Sequence, residues 1–166
     1  MTPRLWERVG HLARRRRPVR RGEVATFLRA VPGPHGRSAV RALLDGVFVT
    51  ATLERRGLRP LLSGGVDRGR PGVDAAREVS RAVDAGLGVL PVAPTCLRRS
   101  VTLLRELERL GLSGDLHLGV RTDPAGIGAH AWVQVGDVVV NDDPDLVATY
   151  STLAAGDVER LMPRFG

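Results

Sequence analysis

Cys96 is the sole cysteine of a 166-residue chain. It opens the stretch "CLRRSVTLLRELERLG", where an amphipathic helix is predicted to begin. Thr95 is the predicted N-cap, which places Cys96 in the first turn. A thiol there meets unpaired backbone N–H groups and the positive end of the helix dipole, both of which favour thiolate and can stabilise an oxyanion. Arg98 and Arg99 add positive charge. A lone cysteine is more often a small buried hydrophobe than a nucleophile, so a catalytic reading needs a base and a group to orient that base. "HAWVQV" offers His130 on a strand whose alternation sets His130 and Trp132 on one face and Ala131, Val133 and Val135 on the other. Trp132 is the expected substrate contact on that displayed face. The next strand ends in "NDDPD", which brings Asp142, Asp143 and Asp145 beside it.

A regular hairpin and a bulged one present different acids to His130. A plain two-residue turn at Gly136-Asp137 pairs position 130 with 143, putting Asp143 on the face of His130. A bulge in that hairpin would shift the register by one and bring in Asp142 instead. All three acids also suit capping of the following turn, the reading preferred for Asp145. His117 is separated from His130 by a loop and no Cys-x-x-Cys exists, so neither a zinc site nor any cofactor is expected.

The elements that must position these residues follow from periodicity. Helices are predicted over 3–17, 22–31, 39–57 and 73–88, with a loose linker over 63–72. In the Cys96 helix, Leu97, Val101, Leu104 and Leu107, with Leu103 and Leu110, form an apolar stripe, and Gly111 is the predicted C-terminal cap. Strands are predicted over 115–121, 129–135 and 137–141, the last two closed into a hairpin by Gly136-Asp137. Turn and helix signals close the chain. The fold class is therefore α+β: a helical N-terminal part, then a helix packed on a small antiparallel sheet.

A length of 166 residues with 43% hydrophobic residues suits one globular domain, divided into a basic helical part over 1–72 and a core over 73–166. No opening apolar stretch resembles a signal peptide, no segment is long enough to span a bilayer, and one cysteine forms no internal disulfide, so a cytoplasmic protein is expected. All 25 basic residues are arginine. Residues 1–70 hold 16 Arg and 5 acids, net +11, against 9 Arg and 13 acids, net −4, in the remainder. A positive field of this kind attracts acidic partners or polyanions without naming them.

The order of a cysteine at a helix start, His-Ala-Trp on a following strand and Asp at the end of the next resembles the transglutaminase-like cysteine-protease superfamily. More narrowly, "CLRRSVTLLRELERLGLSGDLHLGVR" followed by "HAWVQVGDVVVNDDPD" is similar to the leader peptidases of lasso-peptide biosynthesis, over about residues 90–152. The resemblance implies a transglutaminase/papain-like core with Cys96 as nucleophile and His130 as base, then acid. Its Asn-Asp pattern after the strand favours Asp142 as the orienting carboxylate, with Asp143 the alternate. It implies cleavage of a precursor at the junction of leader and core through a thioester, a separate leader-binding protein as partner and an ATP-dependent cyclase acting on the product. The basic N-terminal half is a candidate surface for docking the leader-binding protein. Two rivals keep different features. An amine instead of water attacking the same thioester gives a transglutaminase-like or acetyltransferase-like enzyme, and a non-enzymatic binder of nucleic acid or acidic peptides uses only the arginines.

Overall fold

Apolar residues three and four apart fold the first part of the chain into helices, and alternation takes over after residue 114. The computed structural model describes residues 17–56, 61, 72–123 and 126–153. Its elements are α1 (Arg21–Ala30), α2 (Gly36–Arg56), α3 (Val73–Gly88), α4 (Cys96–Arg109), β1 (Asp115–Asp123), β2 (Gly126–Val135), β3 (Val138–Val139), α5 (Pro144–Val147) and β4 (Ser151–Thr152). The predicted helix over 3–17 up to residue 16, the linker over 63–72 up to residue 71 and the closing signals after 153 lie outside the described residues. No helix among the described residues is long and apolar enough to cross a membrane.

The most enclosed helix is α4. Val101, Leu103 and Leu107 are buried, and they face different neighbours. Leu103 and Leu107 join Val79, Val83 and Leu87 of α3 and Val133 and Val135 of β2 in the main core. Val101 packs with Val49 of α2 and Leu61. Burying each such side chain contributes about 1.5–3 kcal/mol, so α4 is held by its surroundings more than by helix propensity. Its one buried carboxylate, Glu106, is met by Arg109 at 3.1 Å and Arg41 at 3.7 Å. Helices α2 and α3 cross closely at Gly86, where a Cβ would come within 2.2 Å of the Ala39 carbonyl oxygen. The C-terminus of α4 closes as predicted. Gly111 adopts φ 69°, and the Leu112 N–H returns to the Leu107 carbonyl at 2.9 Å.

The sheet is antiparallel in the order β3-β2-β1-β4. Ala131, Val133 and Val135 of β2 are buried, Val133 and Val135 against α3 and α4. On the other face His117 of β1 pairs with Trp132 and Gly119 pairs with His130. Strand β4, which alternation did not predict because it is only Ser151–Thr152, adds to β1 at Gly119 and Val120. The β2–β3 turn is the expected two-residue one: Gln134 pairs with Val139, Val135 pairs with Val138, and Gly136 supplies the positive φ of 60°. Neither a bulge nor the full predicted strand over 137–141 follows. The ladder ends after the Val140 N–H reaches the Val133 carbonyl at 3.0 Å.

Candidate active site

Cys96 begins α4 as predicted, with the Thr95 hydroxyl accepting from the Arg98 N–H at 3.3 Å. The thiol is half-buried. Backbone N–H groups of Ala131, Leu97 and Cys96 itself favour the thiolate, but burial outweighs them and the Asp142 charge opposes it further, so the thiol is held above its ordinary value. The expectation of a lowered pKa is thereby corrected: a helix terminus helps an anion only as far as the site stays solvated. The two flanking arginines are engaged by other groups, although the Arg99 charge still acts on the sulfur. Arg98 is buried and donates to the Ala93 carbonyl at 2.8 Å, while Arg99 grips Asp84 at 2.7 and 2.8 Å.

His130 projects from β2, one residue before the Ala131 N–H that faces the cysteine sulfur. Its Nε2 lies 2.8 Å from Asp142 Oδ2, with each side chain 14% exposed. A carboxylate oxygen accepts, so Nε2 carries the hydrogen and Nδ1 keeps the lone pair. The ring is stacked between Tyr150, centroids 5.0 Å apart, and Trp132, 6.2 Å apart. Gly119 makes this stack possible, since a Cβ there would fall 2.9 Å from two atoms of the Trp132 ring and from the Tyr150 Cβ.

Of the two acids, Asp142 is the one that lies beside His130. Hairpin register alone would have selected Asp143, yet Asp143 turns away and caps α5, accepting from the Asp145 N–H at 2.9 Å. Capping thus falls to Asp143 and not to Asp145. Asp142 meets His130 without a bulge because the chain leaves the ladder after Val140, and a residue freed from pairing is no longer bound to the alternation of faces. Trp132 is corrected as a substrate contact: at 1% exposure the indole offers no surface to a ligand and instead backs His130 and stacks on His117, centroids 5.8 Å apart. Alternation placed Trp132 on the right face but could not show that this face is covered.

Sequence reasoning missed Ser100, Tyr150 and Gly119. Ser100 is fully buried in α4 and donates to the Ala131 carbonyl at 3.0 Å; a polar residue within an apolar helix face was its only signal. Tyr150 and Gly119 carried none, because their roles exist only once β1, β2 and β4 are side by side.

A thiol at a helix start and, on the strand beside it, an imidazole whose Nε2 is held by a carboxylate are groups that acyl transfer uses. Comparison with known proteins points the same way. The chain matches, over 39% identity in 59 residues, the microcin J25-processing protein McjB of Escherichia coli, a match covering 36% of this chain and 27% of that protein's length. No solved structure gives a significant match. The family model of the transglutaminase-like superfamily matches residues 38–155, well over half of the sequence and including every residue of the site described above, and the chain belongs to that superfamily.

Proposed function

We propose that the protein is a cysteine peptidase that removes the leader from a ribosomally made lasso-peptide precursor, with Cys96 as nucleophile, His130 as general base and acid, and Asp142 orienting His130. The observation that carries this reading is the 2.8 Å contact between His130 Nε2 and Asp142 in a strand that adjoins Cys96. Similarity to a microcin-processing protein supports the substrate class. In the proposed reaction the sulfur attacks the carbonyl carbon at the junction of leader and core, and its proton passes to His130. The C–N bond breaks as His130 protonates the departing amine of the core, leaving the leader as a thioester. Water attacks that thioester, gives its proton to His130, and the C–S bond breaks to release the leader carboxylate and restore the thiol. The raised pKa of Cys96 fits a nucleophile deprotonated by its base as it attacks. A leader-binding protein and a cyclase are the proposed partners, the first delivering the precursor and the second closing the ring on the released core.

Incubation with a lasso precursor peptide and its leader-binding protein, followed by mass spectrometry, tests the proposal. The expected products are free leader acid and core amine, absent with Cys96→Ala, whose fold should be nearly unchanged. Adding a primary amine separates hydrolysis from transfer: a leader amide as the main product would replace the peptidase reading with an acyltransferase one. Undiminished cleavage by Cys96→Ala would remove the nucleophile altogether.

A further inference from the structure

The edge of β2 beyond the end of β3 is closed by side chains from two distant places in the chain. Asn141 Oδ1 accepts the Val133 N–H at 2.8 Å, the bond that a continuing strand would have made with its own carbonyl. Asn141 Nδ2 donates to Ser100 Oγ at 2.9 Å, and Ser100 Oγ donates to the Ala131 carbonyl at 3.0 Å. The direction of each bond follows from the one before it, since a backbone N–H can meet only the oxygen of the amide. Asn141 is 8% exposed and Ser100 fully buried. The Asn141 carbonyl also accepts from Arg99, which is fixed by Asp84. Were the hairpin to continue regularly, residue 142 would pair with Ala131 and share its face, turned away from His130.

We infer that Ser100 and Asn141 form a positioning clasp: by replacing the strand at the edge of β2, they end the hairpin at Val140, direct Asp142 to His130, and dock the first turns of α4 against the strand that carries His130. The clasp rests on the triad proposed above. Neither residue touches the reacting atoms, so both act through Asp142, His130 and Cys96.

The test uses p-nitrophenyl acetate. Cys96 attacks the acetyl carbonyl, p-nitrophenolate leaves, the thiol proton passes to His130, and the S-acetyl enzyme is then hydrolysed by water acting through His130. Single-turnover decay of the S-acetyl enzyme separates two quantities: its amplitude reports how much protein is folded, and its rate constant reports the geometry at His130. Asn141→Ala and Ser100→Ala are each expected to slow that rate about tenfold or more, with Ser100→Thr, which keeps the hydroxyl, restoring it. The double variant Asn141→Ala/Asp142→Asn should be slowed by clearly less than the product of the two single effects, because the part that passes through Asp142 is already lost. Ser100→Ala serves if Asn141→Ala does not fold.

A reduced amplitude with an unchanged rate makes the clasp a matter of stability alone and overturns the inference. Additive slowing in the double variant does the same. A wild-type protein that shows no acetyl enzyme beyond the Cys96→Ala background, or an Asp142→Asn variant that deacylates at the wild-type rate, sinks the underlying triad instead.

Discussion

Replacing Asp142 with Asn keeps the shape of the side chain and removes two things at once. Both carboxylate oxygens are in use, Oδ2 by His130 Nε2 and Oδ1 by the Asp143 N–H at 2.9 Å. An amide has one oxygen, so it either keeps the Asp143 N–H and turns its NH2 toward His130, or keeps His130 and opposes an N–H with an NH2. The first choice forces the hydrogen from Nε2 to Nδ1 and abolishes the lone pair that the base needs. The second gives up the Asp143 N–H, an exposed donor that water satisfies at little cost. In either case the charge that would balance an imidazolium is gone, and kcat/KM on a precursor peptide is expected to fall roughly 10²- to 10⁴-fold. Asp143→Asn should change it less than about threefold, because Asn is as good an N-cap as Asp and the α5 cap is all that is at stake. Rates from mass-spectrometric time courses on both variants, with circular dichroism to confirm folding, decide the matter. A near-normal Asp142→Asn beside a crippled Asp143→Asn would refute the reasoning.

Cys96 should alkylate with iodoacetamide only as the pH rises past the ordinary thiol range near ~8.5, since burial raises its pKa; half-maximal reactivity at neutral pH would contradict this. The folded protein then holds that proton more tightly than the unfolded chain does, so the associated stability is complete below the ordinary thiol pKa and is lost as pH climbs from there through the folded value. Urea midpoints at pH 7 and pH 10 should accordingly drop further for the wild type than for Cys96→Ala. Gly119→Ala should cost about 1–3 kcal/mol, by driving a methyl group into Trp132 and Tyr150. An unaltered thermal melt would show that those rings are free to shift.

Local chemistry made the frame readable. Thr95 as cap, the apolar spacing of α4, Gly111 at its end and the Gly136-Asp137 turn all act within a few residues, and each appears where the sequence places it. The α+β order, with a helix on a small antiparallel sheet, follows from them. What could not be read was non-local. The early end of β3 depends on Asn141 meeting Ser100, 41 positions away in the chain. The thiol's raised pKa depends on how deeply β2 and the neighbouring helices enclose it, which no property of the first helical turn reveals. Trp132 misled for the same reason, because alternation assigns a face and says nothing about what lies over it. The choice of Asp142 came from the pattern of a resembling family, where strand geometry argued for its neighbour.

The clasped edge of β2 also limits what can lie beside it. A strand edge with free N–H and C=O groups is a template on which another extended chain can pair, whether an aggregating neighbour or a peptide bound by strand addition. At 131–133 that template has been used up: the Val133 N–H belongs to Asn141, the Val133 carbonyl to Val140, the Ala131 carbonyl to Ser100, and the Ala131 N–H faces the cysteine sulfur. An extended peptide therefore finds no free main-chain partner at 131–133. Under the proposed reaction a peptide substrate would find its backbone partners elsewhere, and its side chains or a carrier protein, more than main-chain pairing at 131–133, would decide which bond is presented to the sulfur.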